Sequence, residues 1–387
     1  MAIYLDNGAT SFPKPPQVAQ RMADYITRVG ANINRSVYGA AQEAGLVTLQ
    51  LRERLCRVLG YGGRPTHAVL TAGNTMSLNM ILQGYLRPGD HCLVSSMEHN
   101  AVMRPLTVLT ARGVTFDRIP SDGCGRMDVS AIAGLIRPNT RLLVMAHGSN
   151  VCGVVQDAEA VGAICREYGI AFVLDAAQTA GHLPLSFDRF GCSAMTVPGH
   201  KGLMGPSGIG GLMMTADFAK SLSPLLTGGT GSASHTEVQP GFMPDKFESG
   251  TPNLPGIYGW EAALHWLEET TVDAVRTHDL ELSGQFLAGL QTLSGIRLLG
   301  PETLHDRVAV FSLDFPGQDN AAVGDRLERE FGILTRCGLH CAPHAHKTLG
   351  TYPGGTVRFS FGWYNTADDV DAALQAIACL TKGEHHG

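Results

Sequence analysis

Short apolar runs alternate with longer amphipathic stretches between about residues 65 and 215. The apolar runs predict buried β-strands, and the stretches between them have the periodicity of helices. The predicted strands span residues 68–71, 91–95, 141–146, 171–174, 194–197 and 210–215. The predicted helices between them include residues 76–83, 127–135 and 158–167. This alternation favours an α/β fold whose mainly parallel sheet is covered by helices on both faces.

The pattern changes beyond residue 226. A Gly/Ser/Thr-rich stretch at residues 226–234 predicts a mobile surface loop. One long helical pattern then covers about residues 256–293, and a strand–helix–strand region follows, with strands at 308–313 and 356–361 and a final helix from Asp368. We therefore predict four parts: an N-terminal segment (1–15) packed near the small domain and the active site, a large ligand-binding domain (16–256), a long connecting helix (257–294) and a small α+β C-terminal domain (295–387).

The composition narrows the class of protein. The 387 residues are 44% hydrophobic and 17% charged, as in ordinary globular chains of more than one domain. A net charge of −6 without a basic run predicts that there is no nucleic-acid partner. The N-terminus does not resemble a signal peptide, and no apolar stretch reaches about 18 residues, so we expect no membrane span. Nine cysteines without disulfide or metal spacing indicate a reducing cytoplasm.

A lysine lies in a glycine-rich loop directly after a predicted strand. Lys201 stands in the segment 198–211, which contains six glycines. A lysine with a lowered pKa can form a Schiff base, and glycines let the backbone approach a planar cofactor such as pyridoxal 5'-phosphate (PLP) closely. Taken alone, Lys201 is more typical of a surface loop.

An aspartate ends the apolar strand that precedes this one. PLP requires a carboxylate against its pyridine nitrogen, and Asp175 is placed for that role, with Gln178 near the phenolic oxygen. The alternative for Asp175 is a cap of the next helix. Because Asp175 and Lys201 follow successive strands, the two residues together favour PLP carried by Lys201.

Two further strand ends carry candidate cofactor ligands. A strand, a turn of small residues and a helix start follow one another at residues 70–79. Backbone N–H groups at a helix N-terminus bind phosphate, so Asn74 and Thr75 are candidate phosphate ligands, with an ordinary N-cap as the alternative. His99 follows the next strand, and its imidazole is a candidate for stacking on the pyridine ring.

In this order the motifs resemble class V aminotransferase-fold enzymes, specifically the cysteine desulfurase and selenocysteine lyase group. The resemblance covers nearly the whole chain. It rests on residues 3–10, 31–38, 73–75, 98–100, 147–153, 175–178, 199–201, 250–253, 336–343 and 358–366. It implies a PLP-dependent transferase fold of the aspartate aminotransferase type (fold type I) and a homodimer with shared active sites.

The resemblance also implies roles for individual residues. The implied cofactor ligands are Asn74, Thr75, His99, Asp175, Gln178, His200 and Lys201, with Thr251 supplied by the second subunit. The implied substrate contacts are Ala9, Arg35, Asn150 and Arg358. Asn150 and Arg358 would clamp the substrate carboxylate, a task that suits a planar guanidinium. Arg35, Tyr38 and the loop 228–234 are expected to reach toward the partner's site.

The implied reaction removes sulfur from L-cysteine, or selenium from L-selenocysteine, and leaves L-alanine. Lys201 would move the α-proton, His99 would assist at the cofactor, and Cys341 would take the heteroatom as a persulfide before a sulfur-acceptor protein receives it. The neighbouring side chains Arg336, His340 and His344 are expected to favour the Cys341 thiolate.

The chain departs from this group at two positions. Relatives usually carry Ser or Thr before the Gly-His-Lys run, whereas Pro198 has neither a hydroxyl nor an N–H. Relatives of the second, short-loop desulfurase type have a histidine where this chain has Leu339, and Cys337 is additional. We therefore expect one phosphate contact to be lost or replaced.

Several alternatives share parts of this pattern. A selenocysteine lyase, another PLP-dependent C–S β-lyase or an aminotransferase of the same fold would differ in their products. A non-catalytic scaffold that binds a partner is the alternative outside enzymes. The residues His340, Cys341, His344 and His346 also permit a zinc site.

Overall fold

The computed structural model describes residues 2–33 and 38–381. Its strands are β1 Ile3–Tyr4, β2 Ala68–Thr71, β3 His91–Ser95, β4 Thr115–Ile119, β5 Thr140–Ala146, β6 Ala171–Asp175, β7 Ala194–Pro198, β8 Gly210–Met214, β9 Arg297–Leu299, β10 Val310–Asp314, β11 Ile333–Leu334, β12 Arg336–Gly338 and β13 Thr356–Ser360. Its α-helices are α1 Pro16–Asp24, α2 Gly39–Val58, α3 Asn74–Tyr85, α4 Asn100–Thr110, α5 Ile132–Leu135, α6 Ala158–Glu167, α7 Ala216–Ser221, α8 Leu254–Thr270, α9 Val272–Leu290, α10 Asn320–Phe331, α11 Pro343–Thr348 and α12 Ala367–Thr381.

Seven strands form the central sheet, in the order β2-β8-β7-β6-β5-β3-β4. The strand β8 runs antiparallel to β2 and β7, and all other neighbours are parallel. Along β5, Leu143 and Met145 face one hydrophobic core while Leu142 and Val144 face another. Because both faces are covered, the strands read as continuous apolar runs. The predicted α/β class with a mainly parallel sheet is confirmed.

A second, antiparallel sheet lies in the C-terminal part of the chain, in the order β12-β13-β10-β9. Its core is a cluster of aromatic rings in edge and tilted contact, formed by Phe286, Phe311, Phe359 and Phe361. The N-terminal strand β1 pairs in parallel with β11, and Asp6 then bridges to Ser360. The start of the chain is therefore attached to the small sheet.

In the central sheet the sequence pattern misses one strand, and it also overextends one helix. The strand Thr115–Ile119 reads Thr-Phe-Asp-Arg-Ile and lies at the edge of the sheet, so its polar residues hide the apolar alternation. The predicted helix 127–135 is instead a 3₁₀ turn followed by the single turn Ile132–Leu135. The carboxylate of Asp128 accepts the N–H of Ser130 at 3.0 Å, which begins the turn locally rather than a regular helix.

Two helices occupy the region where the sequence pattern predicts a single one. The chain breaks at Thr271, whose φ of 71° is incompatible with a continuous helix. The Thr271 hydroxyl accepts the N–H of Ala274 at 3.2 Å and so caps α9. The expectation of one connecting helix is therefore wrong: α8 and α9 are separate helices.

The topology sends several loops to one edge of the central sheet. The parallel strands β3, β5, β6 and β7 all end there, β2 ends beside them, and the antiparallel strand β8 begins there. Ligands of such sheets bind outside this edge. In residues 2–33 and 38–381, no helix has the length and apolar character needed to cross a membrane.

Candidate active site

A cavity of about 440 Å³ opens at this edge of the sheet. Ten of the predicted site residues line it: Ala9, Asn74, Thr75, His99, Asn150, Asp175, Gln178, His200, Lys201 and Arg358. Residues more than 300 positions apart in the chain thus meet in one pocket. The predicted substrate contact Arg35 lies outside the described residues.

Lys201 lies in the loop that follows β7. Burial lowers the pKa of its amine to about 8, and this effect outweighs the carboxylate of Asp175, which acts in the opposite direction. The guanidinium groups of Arg358 and Arg336 lower the pKa further. Because a neutral amine is the form that reacts with a carbonyl, the cavity favours a nucleophilic lysine.

The loop around Lys201 is held close to its neighbours. A Cβ at Gly202 would lie 2.4 Å from the carbonyl oxygen of Ala180, so only glycine fits there. The Lys201 carbonyl accepts a hydrogen bond from Ser11 Oγ at 2.9 Å. The His200 carbonyl accepts further bonds from Ser11 and from Lys14 Nζ, the latter at 2.6 Å. The N-terminal segment therefore fixes the backbone of the reactive lysine.

Asp175 is the last residue of β6 and is almost fully buried. Burial raises the pKa of its carboxyl, while the N–H of Ala177, Lys201 and the amide of Asn74 lower it. Its Oδ1 accepts the Ala177 N–H at 3.0 Å and Asn74 Nδ2 at 2.9 Å. The Asn74 side chain is thus directed at Asp175, which leaves the backbone N–H of Asn74 for an anion.

The helix α3 begins at the cavity. It is preceded by Gly73 with φ 145°, and Thr75 is exposed in its first turn. His200 stands nearby; burial lowers the pKa of its imidazole to about 4, and its Nδ1 is buried without a partner in the described residues. Pro198 lies at the end of β7, and Ser207 also lines the cavity. Helix N–H groups, a hydroxyl and a neutral imidazole together form an anion site.

His99 caps the helix α4 at another wall of the cavity. Its Nδ1 accepts the N–H of Ala101 at 3.0 Å, so the proton of the neutral ring is on Nε2. Burial lowers the pKa of this imidazole to about 4, and Lys201 and Arg336 lower it further. His99 is therefore neutral, which suits a ring that stacks on another ring.

Arg358 is the buried cation of the cavity, with a side chain 1% exposed. Its Nη2 lies 2.6 Å from Asp6 Oδ1, and its Nη1 donates to the carbonyl of Asn150 at 3.1 Å. Its Nε is buried without a partner in the described part of the chain. Burial lowers the pKa of the guanidinium and the carboxylate of Asp6 raises it. Because Arg358 lines the cavity, its guanidinium is a candidate partner for a substrate carboxylate.

Cys341 is exposed and does not itself line the cavity, but the adjacent His340 and the nearby Arg336 do. Its Sγ accepts a hydrogen bond from Arg336 Nη2 at 3.4 Å. His340 does not contact the sulfur, because it is buried and hydrogen-bonds Thr356 Oγ1 at 2.9 Å. His344 Nδ1 is 3.1 Å from the carbonyl of Ser96. Of the three predicted neighbours, Arg336 is the one whose contact with the sulfur is seen.

Cys337 is held in packing contacts, and in the described residues His340, His344 and His346 do not form a metal site. Cys337 packs against Gly324, and burial raises the pKa of its thiol. In the described residues, no group of three or more His, Cys, Asp or Glu side chains is arranged to hold a metal ion. The alternative of a zinc site is therefore not supported.

Thr251 lies away from this cavity. It is exposed and lines a neighbouring cavity of about 290 Å³, which also borders Met76 at the start of α3. Within one chain Thr251 is therefore not a wall of the lysine pocket. The loop that contains residues 228–234 lies beside the same second cavity through Thr230.

Sequence patterns did not reveal three residues of the site. Asp6 pairs with Arg358, Lys14 donates to the His200 carbonyl, and Glu98 lies buried beside Ser95. Burial raises the pKa of Glu98 to about 8. The partners of Asp6 and Lys14 are distant in sequence, and Glu98 also accepts the N–H of Ala146 at 2.9 Å, 48 positions away, so no local spacing signals these contacts.

A parallel sheet that presents a lysine with a lowered pKa and a buried carboxylate at one edge is the framework of an α/β enzyme. The chain belongs to the aminotransferase class-V family, which matches residues 3–373. The predicted family resemblance is therefore confirmed.

Relatives that align with nearly the whole chain support this family assignment. The chain is 31% identical over 95% of its length to a probable cysteine desulfurase of Methanothermobacter thermautotrophicus, of which 92% is covered. It is 32% identical to the cysteine desulfurase CsdA of Escherichia coli, with 97% of this chain and 93% of the relative covered. The apo structure of cysteine desulfurase from Thermococcus onnurineus is similar with a TM-score of 0.91 and 30% identity, over 99% of this chain and 95% of the other.

Proposed function

We propose that this enzyme is a PLP-dependent cysteine desulfurase, which takes sulfur from L-cysteine onto Cys341 and leaves L-alanine. One observation carries the proposal: the exposed Cys341 contacts Arg336 through its Sγ, and Arg336 and the adjacent His340 line the same cavity as Lys201. An aminotransferase needs no thiol at this place. The proteins to which the chain is similar are named cysteine desulfurases.

The residues at the cavity fit PLP. The buried carboxylate of Asp175 suits the protonated pyridine nitrogen, and the amine of Lys201 with its pKa of about 8 suits the aldehyde. The N-terminus of α3, Thr75 and the unpartnered Nδ1 of His200 suit the phosphate. PLP, when bound, withdraws electrons from the substrate Cα and weakens the Cβ–S bond.

Lys201 moves the proton in this scheme. With a pKa of about 8, a substantial share of the Lys201 amine is neutral near pH 8 and able to take the α-proton of a bound substrate. Asp175 raises this pKa partly back, so the amine stays basic enough to take the proton, while burial keeps the pKa low enough for the proton to be released again. Burial and Asp175 together thus set the pKa of the Lys201 amine close to neutral pH, where proton transfer is feasible in both directions.

Arg358 and Asn150 orient the substrate. Arg358 and Asn150 line the same cavity, so their side chains can hold the carboxylate of cysteine. Asp6 balances the charge of the buried guanidinium at 2.6 Å, which keeps its plane fixed. With the carboxylate held, the substrate side chain can point toward Cys341.

Cys341 takes the sulfur. The thiolate attacks the sulfur of the substrate, so an S–S bond forms as the Cβ–S bond breaks. The electron pair stays with the substrate carbon, which takes up a proton and becomes the methyl group of alanine. Arg336 Nη2 donates to the Cys341 Sγ at 3.4 Å, which holds the sulfur in place for this attack. The exposed position of Cys341 lets a sulfur-acceptor protein reach the persulfide.

The proposal includes a cytoplasmic homodimer whose subunits share their active sites. Large apolar side chains are exposed near Thr251 in the chain, among them Leu226, Val238 and Phe242. Their burial against a second copy would bring an exposed Thr251 toward another subunit's phosphate site.

A cysteine-to-alanine exchange tests the function. The variant Cys341→Ala should retain bound PLP but lose the release of sulfide and alanine from cysteine, because the acceptor of the sulfur is gone. The matched control is Cys124→Ala, since Cys124 is also exposed but lies on another loop, and it should keep full activity. Unchanged alanine formation by Cys341→Ala would refute the persulfide role.

Product analysis separates the related reactions. Alanine with persulfide indicates a desulfurase, pyruvate with ammonia indicates β-elimination, and exchange with a keto acid indicates an aminotransferase. Selenocysteine offered beside cysteine identifies a selenocysteine lyase if only selenium is released.

A further inference from the structure

The loop that carries Cys341 has an unfavourable backbone conformation. It connects β12 to α11, and two consecutive residues in it, His340 and Cys341, have φ values of 47° and 59°. Residues with a Cβ rarely adopt such left-handed values, and two in a row are rarer still. A conformation of this kind persists only where surrounding contacts hold it.

Three hydrogen bonds hold this loop. Asn150 Nδ2 donates to the carbonyl of His340 at 2.7 Å. The His340 imidazole, whose residue is 2% exposed, bonds Thr356 Oγ1 at 2.9 Å. The N–H of Asn100 donates to the carbonyl of Cys341 at 2.8 Å. His340 therefore acts as a buried anchor, and both strained residues are tied through their carbonyls.

These bonds attach the loop to the walls of the substrate cavity. Asn150 lines the cavity, and its own carbonyl accepts Arg358 Nη1 at 3.1 Å. Asn100 directly follows His99, which lines the cavity as well. The residues that would recognise the substrate carboxylate are thus in direct contact with the loop that places the nucleophile.

We propose that Asn150 is a positioning residue for Cys341, acting on the Cys341 loop through the carbonyl of His340. The inference rests on the proposed desulfurase function and deepens it. A primary amide has two N–H donors, and His340 uses one of them, so the second N–H and the Oδ1 remain for the substrate. The Asn150 side chain then orients the substrate carboxylate and also fixes the position of Cys341, which takes the sulfur.

Loss of this contact has a defined consequence. Without the Asn150 amide, the buried carbonyl of His340 has lost its donor and the strained residues are free to relax. The Cys341 sulfur then leaves its position 3.4 Å from Arg336. The N–H of Asn100, which donates to Cys341, becomes accessible to solvent exchange at the same time.

Hydrogen exchange in the PLP-loaded, substrate-free protein tests the proposal. The variants are Asn150→Ala and Thr356→Val; the second has a similar shape, and Thr356 does not line the cavity. Both should speed exchange in peptides that contain Asn100 and residues 338–342 by about tenfold, the effect of one lost hydrogen bond. The control Thr351→Val removes the equivalent bond to His346 Nδ1, at 2.8 Å, and should leave Asn100 at the wild-type rate.

Steady-state kinetics add a second readout. Thr356→Val should lower kcat for alanine formation about tenfold and leave KM unchanged, whereas Asn150→Ala should change both. Exchange at Asn100 and 338–342 that stays at the wild-type rate in Thr356→Val, and in Asn150→Ala if that variant folds, overturns the proposal. If the wild-type protein makes no alanine from cysteine, the desulfurase function fails, while the exchange result still decides whether Asn150 holds the loop.

Discussion

At the scale of single residues, burial sets the chemistry of the site more than pairing does. Lys201, His99 and His200 all have a lowered pKa whose largest cause is burial. Each is therefore neutral at a pH where an exposed lysine would be charged or an exposed histidine partly charged. The one buried carboxylate that opposes this, Asp175, lies where a protonated ring nitrogen is expected to bind.

The pH dependence of Lys201 follows from this balance. Since the pKa of its amine is lowered from 10.5 to about 8, the neutral form should predominate above about pH 8. In the cofactor-free protein, the rate at which formaldehyde and a hydride donor methylate Lys201 should rise through about pH 8. Mass spectrometry of the peptide that contains Lys201 measures this rate.

Removal of the opposing carboxylate should move this midpoint. Because Asp175 raises the pKa of Lys201, Asp175→Asn should shift the midpoint to lower pH. The exposed Asp217→Asn is the control and should leave it unchanged. A wild-type midpoint near 10.5, or an upward shift in Asp175→Asn, would contradict the burial argument.

At the scale of elements, apolar runs predicted the central strands because both faces of the sheet are buried. The six predicted strands coincide with β2, β3, β5, β6, β7 and β8 to within a residue at each end. The edge strand β4 and the break at Thr271 were not predictable in this way. The first alternates too weakly, and the second depends on a positive φ that no sequence pattern marks at a threonine.

The break at Thr271 offers a prediction about stability. Thr271 has φ 71° and ψ 143°, a region that favours glycine, so its strain is on the order of 1–3 kcal/mol. Replacing a threonine N-cap by glycine costs only a few tenths of a kcal/mol. The strain term is larger, so Thr271→Gly should raise the free energy of unfolding by about 1 kcal/mol.

Urea-induced unfolding measures this difference, with a matched cap as the control. Thr215 caps α7 by accepting the N–H of Phe218 at 3.3 Å, but its φ is an ordinary −66°. Thr215→Gly should therefore lower the urea midpoint of unfolding, since it loses a helix cap and relieves no backbone strain. If both variants are destabilised equally, Thr271 is not strained.

At the scale of the whole molecule, the site is assembled from parts of the chain that no local motif connects. The sequence pattern identified Asn74, Thr75, His99, Asp175 and Lys201, because each ends or follows a strand or opens a helix, and the family resemblance added Ala9, Asn150, His200 and Arg358. It could not identify Asp6 as the partner of Arg358, or Asn150 as the donor to His340, because these pairs are 352 and 190 positions apart. It also placed His340 beside the sulfur, whereas the fold buries that ring against Thr356.

The sharing of active sites between subunits is the prediction that belongs to the whole molecule. Thr251 is exposed and lines a cavity other than that of its own Lys201. If Thr251 serves the phosphate site of a second subunit, Thr251→Glu should expel the cofactor phosphate from the partner's site by charge repulsion. Lys201→Ala should inactivate only the site of its own chain. Each variant alone should then be inactive as a homodimer.

Mixing the two variants after mild dissociation distinguishes shared from separate sites. Random reassociation gives heterodimers in about half of the molecules, and each heterodimer contains one site with an intact Lys201 and a partner's intact Thr251. About a quarter of the wild-type activity should therefore return. If each site were built from one chain only, no activity would return on mixing, because each chain carries its own defect. The exposed Lys220→Ala, mixed with Thr251→Glu, controls for loss of activity during dissociation and should give about half of the wild-type activity whether the sites are shared or separate.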